Sequence, residues 1–132
     1  MIRPVVLDAG ALIALDRDNR ETWALVKAIS DVGGSIHVPT GVIAQAWRDG
    51  ARQALLARAL SHCEEVVLDG PLARAAGLLC GKAGTADVVE ATVALVAGLI
   101  GERIPALILT SDPDDIIHLA RTLGVDVRIE LV

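Results

Sequence analysis

Short β-branched runs alternate along this chain with longer segments that are rich in Ala and Leu. The short runs predict five strands, since continuous apolar stretches of this length are typical of strands buried in a parallel sheet. The predicted strands are residues 4–7, 35–38, 65–68, 104–110 and 125–130. The predicted order, βααβααβααβαβ, indicates an α/β fold in which helices cover both faces of a parallel sheet of about five strands.

Capping and breaking residues set the ends of the predicted helices. Thr40 and Thr85 are predicted N-caps. Pro71 suits a first helical turn, and Gly124 ends the last helix. Residues 81–84, which begin and end with glycine, are predicted to form a loop. The predicted helices are residues 9–16, 21–32, 39–47, 51–61, 70–80, 86–99 and 113–123.

The chain has 132 residues, which is the size of one domain, so a single domain spanning residues 1–132 is expected. Hydrophobic residues make up 53% of the sequence, which excludes an intrinsically disordered chain. The sequence holds two Trp and no Tyr or Phe. The core is therefore expected to be aliphatic, as in parallel sheets covered by Ala- and Leu-rich helices.

The net charge and the cysteines limit which partners and which cellular compartment can be expected for the protein. A net charge of −5 does not favour long-range attraction to nucleic acid, so a polyanion would need local cations or a bound metal. Cys63 and Cys80 are far apart in sequence and are expected to be reduced thiols. The longest apolar run, residues 91–100, is too short to cross a bilayer, and the N-terminal residues lack the features of a secretory signal. The expected location is the cytoplasm, with no membrane association.

Acidic residues follow two of the predicted strands. Asp8 comes directly after the first strand, and Asp112 comes two residues after the fourth. If these strands are neighbours, their ends are about 5 Å apart and the two carboxylates share one pocket. Each residue alone could simply cap the helix that follows it. The combination favours a site, because Asp112, Asp114 and Asp115 crowd together and their repulsion needs a cation or water to relieve it.

A second acidic pair lies at the start of the apolar helix predicted at residues 86–99. Asp87 and Glu90 are three residues apart and therefore share a helix face. They could simply interact with the partial positive charge of the helix N-terminus. Together with Asp8 and Asp112 they would form an oxygen-rich site suited to Mg²⁺ or Mn²⁺. The His residues are scattered in the sequence, so a zinc site is not indicated.

Four segments, in this order, resemble the PIN-domain family, and in particular the VapC-type toxin ribonucleases of bacterial toxin–antitoxin pairs. The segments are VVLDAGALIAL at residues 5–15, VPTGVIAQAWR at 38–48, GTADVVEA at 84–91 and LTSDPDDI at 109–116. The resemblance covers essentially the whole chain. It implies a three-layer α/β/α sandwich and a Mg²⁺- or Mn²⁺-dependent endoribonuclease. It also implies a homodimer and inhibition by a small cognate antitoxin of the VapB type.

The resemblance also implies which residues carry the chemistry. The family's acidic positions fall on Asp8, Asp87 and Asp112, which are expected to be the metal ligands and the catalytic residues. The auxiliary candidates from the neighbouring positions are Glu90, Thr110, Ser111, Asp114 and Asp115. The acids among these would add charge to the site, and a hydroxyl group would orient a carboxylate or a water molecule.

Cations and aromatic side chains would be needed to hold an RNA strand against so acidic a chain. Arg48 and Arg52 lie on and just after the helix that carries Gln45, and they are the best candidates for phosphate contacts. They could equally be solvated surface arginines. Base stacking is limited to Trp23 and Trp47, and Trp47 is expected in the core or in a dimer interface instead.

One position departs from the family pattern. The helix after the second strand usually carries Glu, and Gln45 stands there in this chain. Gln keeps an oxygen ligand but loses the charge, so Gln45 is an auxiliary candidate whose missing charge Glu90 could supply. The alternative function is a PIN-like protein-binding module with weak or no nuclease activity. A haloacid-dehalogenase-like phosphatase is disfavoured, because that class has a second Asp two residues after the first, where this chain has Gly10.

Overall fold

The computed structural model describes residues 2–132 and contains one sheet of five parallel strands. The strands are β1 (Val5–Leu7), β2 (Ile36–Pro39), β3 (Glu64–Val66), β4 (Ala106–Thr110) and β5 (Val127–Leu131). Their order across the sheet is β3-β2-β1-β4-β5. The predicted α/β architecture is confirmed, and every strand begins and ends within one or two residues of its predicted bounds.

Seven α-helices and one 3₁₀ turn connect the strands in the described chain. They are α1 (Ala9–Asp16), α2 (Arg20–Asp31), α3 (Thr40–Ala46), the 3₁₀ turn (Gly50–Arg52), α4 (Ala54–Leu60), α5 (Gly70–Ala83), α6 (Val88–Ile100) and α7 (Pro113–Leu123). The order of strands and helices is the predicted one. The helix predicted at residues 51–61 is divided into the 3₁₀ turn and α4, because Gln53 between them has a non-helical backbone, with φ −117° and ψ 44°.

The order of strands reverses at β1. Strand β1 pairs with β2 on one side, where Val5 is opposite Ile36, and with β4 on the other, where Leu7 is opposite Leu109. The chain thus passes outwards from β1 to β3 and returns to β4 on the other side of β1. The crevice beyond the carboxyl ends of β1 and β4 is where open α/β sheets bind ligands. The first and fourth strands are neighbours, which is the condition under which Asp8 and Asp112 were expected to share a pocket.

Both faces of the central strands are buried, which explains their continuous apolar sequence. The three residues of β1 are at most 1% exposed. Helices α5, α6 and α7 pack on one another through a separate cluster of small and aliphatic side chains. This cluster consists of Ala76, Leu79, Cys80, Ala91, Ala94 and Leu119. Alanine side chains allow close approach of these three helices, so this cluster packs without aromatic rings.

Two of the predicted helix N-caps are wrong. Thr40 is the first residue of α3, and its Oγ1 accepts a hydrogen bond from the Leu68 N–H at 3.1 Å. The cap of α6 is Asp87, whose Oδ1 accepts from the Glu90 N–H at 3.0 Å. Thr85 lies two residues earlier, and its Oγ1 accepts from the Asp87 N–H at 3.2 Å. Asp87 takes the capping position because its carboxylate reaches the free N–H groups of the first turn.

Helix α5 is longer than predicted and then turns sharply into α6. The residues from Gly81 onwards, predicted as a loop, continue the helix to Ala83, and Gly84 ends it with φ +74°. In the added turn, Ala83 packs against the cluster shared by α5, α6 and α7, and its carbonyl lies 2.7 Å from the His118 Nε2. These contacts oppose the roughly 1 kcal/mol that a glycine costs inside a helix. Among the described residues no single helix has the length and apolar character to cross a membrane. Helices α5 and α6 together have that length and apolar character, but the chain bends by 108° between them.

Candidate functional site

Asp8 lies at the end of β1, where the order of strands reverses, and is 4% exposed. Its Oδ1 accepts a hydrogen bond from the Ala9 N–H at 2.7 Å and so caps α1. Its Oδ2 accepts from the Thr110 hydroxyl at 2.8 Å. That hydroxyl in turn accepts from the Asp112 N–H at 3.0 Å. Thr110 therefore joins the ends of β1 and β4 and orients the Asp8 carboxylate.

Three carboxyl groups meet where α6 and α7 begin. Glu90 lies in the first turn of α6, Asp112 immediately precedes α7, and Asp115 lies in the first turn of α7. One oxygen atom from each of the three residues lies within 4.8 Å of the others. Glu90 is buried and both aspartates are exposed, so the group is open to solvent on one side. Such an arrangement can surround a cation and remain accessible to a substrate.

Burial and mutual repulsion raise the pKa of Glu90 to about 8. Loss of hydration is the largest cause, and four neighbouring negative charges add to it. These are Asp87, Asp8, Asp115 and Asp112, in order of their effect. The pKa of Asp8 is also raised, chiefly by burial and against the lowering effect of its two hydrogen bonds. Desolvation and the neighbouring Asp115 raise the pKa of Asp112. We call these five acidic residues the acidic cluster.

Besides Asp8, two members of the acidic cluster precede helices, and their side chains act differently. Asp87 caps α6 through its Oδ1, which leaves Oδ2 available for another partner. Asp112 precedes α7, yet in the described chain its side chain makes no capping hydrogen bond. Asp112 thus occupies the N-cap position of α7 without this hydrogen bond, whereas the Asp87 side chain does cap its helix.

The donor atoms of the acidic cluster suit a hard divalent cation. All of them are carboxylate oxygens, the ligands that Mg²⁺ and Mn²⁺ prefer in proteins. None of the ion pairs found in residues 2–132 involves these five acids. A cation bound among them would remove the repulsion and stabilise the charged form of Glu90. The residues present therefore fit a Mg²⁺ or Mn²⁺ ion.

Sequence reasoning did not identify Gly10 as part of this site. A Cβ atom at this position would lie 2.2 Å from the Ser111 Oγ and 2.9 Å from the Ser111 backbone nitrogen. The first turn of α1 and the loop after β4 therefore approach more closely than a side chain at residue 10 permits. A glycine in the first turn of a helix, where helix propensity disfavours it, was the available signal.

The other predicted site residues lie outside the acidic cluster. Asp114 is exposed in the first turn of α7 and is not one of the three carboxyl groups that meet. Gln45 is exposed on α3 and lines a groove with Arg48 and Arg52, and no member of the acidic cluster lines that groove. Trp47 is 39% exposed, so it does not lie in the core, which was one of its two expected places. Its expected place in a dimer interface stays a prediction.

Neither a protein-family model nor a curated protein matches the sequence. The fold, in contrast, is similar to that in the crystal structure of VapBC2 from Rickettsia felis bound to a DNA fragment from their promoter. The two chains are 15% identical and superpose with a TM-score of 0.65, over 97% of this chain and 98% of that one. At this identity the similarity concerns the fold, and the protein has a PIN-like α/β fold.

Proposed function

We propose that the protein is a metal-dependent endoribonuclease that hydrolyses RNA phosphodiester bonds, as the toxin of a VapBC-type toxin–antitoxin pair. The observation that carries the proposal is the meeting of the Glu90, Asp112 and Asp115 carboxyl groups near the end of β4, with the charges of Asp8 and Asp87 close enough to raise the pKa of Glu90. Open α/β sheets bind their ligands at this place. The similarity of the fold to a VapBC2 structure supports the same conclusion.

The acidic cluster would hold Mg²⁺ or Mn²⁺ through Asp8, Asp87 and Asp112, with Glu90 and Asp115 as further carboxylates. When bound, such a cation lowers the pKa of water and stabilises the charge that develops on the phosphoryl oxygens during hydrolysis. It would also offset the repulsion between an acidic pocket and a phosphate.

The residues of the chain position this site and hold a proton in it. The Thr110 hydroxyl and the α1 backbone each bind one oxygen of Asp8, so its carboxylate has one orientation. In the metal-free protein the Glu90 carboxyl group, with a pKa of about 8, holds a proton at neutral pH. It must release that proton to become a ligand. Asp112 and Asp115 are exposed and can meet a substrate directly.

The proposed partners are an RNA substrate, a small cognate antitoxin of the VapB type and a second copy of the chain. The structure with the similar fold is described as VapBC2 bound to promoter DNA. An antitoxin that pairs with the present chain is therefore part of the proposal. Co-purification of the chain with the product of a small neighbouring gene would test this pairing.

Cleavage of end-labelled single-stranded RNA tests the proposed activity. The protein is expected to cut the RNA with Mg²⁺ or Mn²⁺ and to leave it intact in EDTA. Asp112→Asn should lower the rate about 100-fold or more, because it removes a charged ligand from the cluster. Asp31→Asn changes an exposed acid at the end of α2 and is the matched control, with an unchanged rate. An Asp112→Asn variant as fast as the parent would contradict the proposal.

Gln45 supports a second candidate function, a PIN-like protein-binding module with weak or no nuclease activity. The amide carries no charge where the related ribonucleases usually have a carboxylate, and affinity for hard cations depends on the charge of the ligands. Calorimetric titration with Mn²⁺ separates the two candidates. If the protein is a nuclease, it binds the ion with measurable heat, and Asp112→Asn reduces that heat. If it is a binding module, the parent and the Asp112→Asn variant both show little heat.

A further inference from the structure

A groove at the far end of α1 gathers arginines in an otherwise acidic protein. It lies between the C-terminal end of α1 and residues 45–53, and Arg17, Arg48 and Arg52 line it. We call it the arginine groove. The chain as a whole has a net charge of −5, so the local charge here differs in sign from that of the molecule. Local cations of this kind are what an acidic protein needs to bind a polyanion.

Two aspartates also line the arginine groove, but both are engaged by neighbours. The Asp16 Oδ2 accepts a hydrogen bond from the Gln53 Nε2 at 3.2 Å. The Asp49 carboxylate lies 3.6 Å from the Arg52 Nε, in a pair whose side chains are both largely exposed. Exposed pairs contribute little free energy. Arg52 can therefore exchange Asp49 for a phosphate at little cost.

A buried glutamine holds the segment that carries two of the arginines. Gln53 is 6% exposed, and its Oε1 accepts hydrogen bonds from the N–H groups of Arg48 at 2.7 Å and Asp49 at 2.8 Å. Its Nε2 donates to the Ala46 carbonyl at 2.9 Å as well as to Asp16. The amide thus ties residues 46–49 to the end of α1. A segment held in this way loses little conformational entropy when a ligand binds.

The same segment presents an aromatic ring. Trp47 is 39% exposed and lies beside the arginine groove, because both of its chain neighbours line it. Gly50 packs against the ring, and a Cβ atom at that position would lie 2.7 Å from the Trp47 Cζ2. The ring is therefore supported on one side and exposed on another. The other tryptophan, Trp23, is half-buried and donates its indole N–H to the Leu15 carbonyl at 2.9 Å.

We propose that the arginine groove and Trp47 bind single-stranded RNA, with the guanidinium groups on phosphates and the indole ring stacked on a base. The proposal rests on the proposed ribonuclease function, since it states where that enzyme holds its substrate. Guanidinium groups bind phosphate through paired hydrogen bonds, and an exposed ring stacks on bases that are unpaired. Helix α1 joins Asp8 to Arg17 and is about 12 Å long. An RNA strand held in the arginine groove can therefore extend to the acidic cluster.

Fluorescence anisotropy with a labelled single-stranded RNA of about 15 nucleotides tests the proposal. The titrations contain EDTA, so the RNA stays intact. Trp47→Ala is expected to weaken binding about 5- to 100-fold, and Trp47→Phe to restore most of the affinity. Replacing Arg17, Arg48 and Arg52 singly by Ala should each reduce the slope of log K against log salt concentration by about 0.7. Trp47→Ala should leave that slope unchanged.

The control is Arg121→Ala, an exposed arginine in the last turn of α7, which should bind RNA as the parent does. RNA affinity and salt slope equal to the parent's in the Trp47 and groove variants, with melting that shows them folded, would overturn the proposal. The groove would be a general anion site instead of an RNA site if the protein bound poly-L-glutamate as tightly as RNA and Trp47→Ala changed neither affinity. Because no metal and no cleavage enter these titrations, their outcome is separate from that of the nuclease assay.

Discussion

At the scale of the residue, two acids of the cluster cap helices and still have oxygen lone pairs free for a further partner. Asp8 caps α1 with one oxygen and receives the Thr110 hydroxyl with the other. Asp87 caps α6 with its Oδ1. An ionised carboxylate has about four acceptor positions, so one capping hydrogen bond leaves most of them for a cation. Capping therefore holds these carboxylates in place without excluding them from the site.

Asp8→Asn is expected to abolish RNA cleavage and to leave the fold intact. The variant relieves repulsion within the acidic cluster but weakens the contact with the Thr110 hydroxyl, since an amide offers one acceptor oxygen instead of two. The free energy of unfolding without metal should stay within about 1 kcal/mol of the parent's or rise. RNA cleavage with Mg²⁺ and thermal melting in EDTA measure the two effects. Cleavage at the parent's rate would remove Asp8 from the set of metal ligands.

The stability of the metal-free protein should fall as the pH rises from about 5 to 9. The pKa of Glu90 is about 8 in the folded protein and has its ordinary value of 4.5 in the unfolded chain. Between these values the folded state binds more protons, so the unfolding free energy decreases with rising pH. Glu90→Gln should flatten this dependence. Urea denaturation in EDTA at several pH values measures it, and parallel curves for the two proteins would exclude Glu90 as the titrating group.

At the scale of the element, the site depends on how closely α1 approaches the loop between β4 and α7. Gly10 allows the contact, and the Thr110 hydroxyl bonds to both segments. Asp8 precedes α1 and Asp112 precedes α7, so the distance between the two segments sets the distance between these acids. The geometry of the cluster is thus decided by the packing of segments that are about 100 residues apart in sequence.

Gly10→Ala is expected to destabilise the protein by about 1 to 3 kcal/mol, as overpacking does in other well-packed sites. The added Cβ would lie 2.2 Å from the Ser111 Oγ, so the loop that carries Asp112 must move. Mn²⁺ binding by calorimetry should weaken as well. Ser111→Gly removes the clashing side chain and should restore part of both losses in the double variant. The recovery is partial because the Ser111 backbone nitrogen would still lie 2.9 Å from the new Cβ.

At the scale of the whole molecule, an apolar surface is available for a second copy of the chain. Val67 and Leu99 are 66% and 65% exposed and line one shallow groove beside α5 and α6. Exposed apolar patches on small proteins commonly mark interaction surfaces. We expect a symmetric dimer that buries this groove. Leu99→Asp should shift sedimentation towards the monomer at about 10 μM. Val32→Asp, at an exposed site after α2, should not. A parent that sediments as a monomer would contradict the dimer.

The order and type of the elements could be predicted from sequence because they depend on local patterns. Continuous apolar runs such as Val5–Leu7 predict buried parallel strands, and α1 and α7 have their predicted bounds. The position of acids directly after strands is also a local feature. Since parallel strands end on the same edge of a sheet, the region of the candidate site followed from the predicted topology.

The tertiary structure decided which side chains meet within that region. Glu90 lies with Asp112 and Asp115 because α6 packs beside α7, a contact that no local pattern encodes. Local patterns also do not encode the close approach of Gly10 to Ser111, or the hydrogen bonds by which the buried Gln53 amide holds the arginine groove. Hydrophobic periodicity and capping act over a few residues, so local sequence specifies the strands, most of the helix bounds and the edge of the sheet where acids gather. Long-range packing alone determined the distances and the burial that give those acids their chemistry.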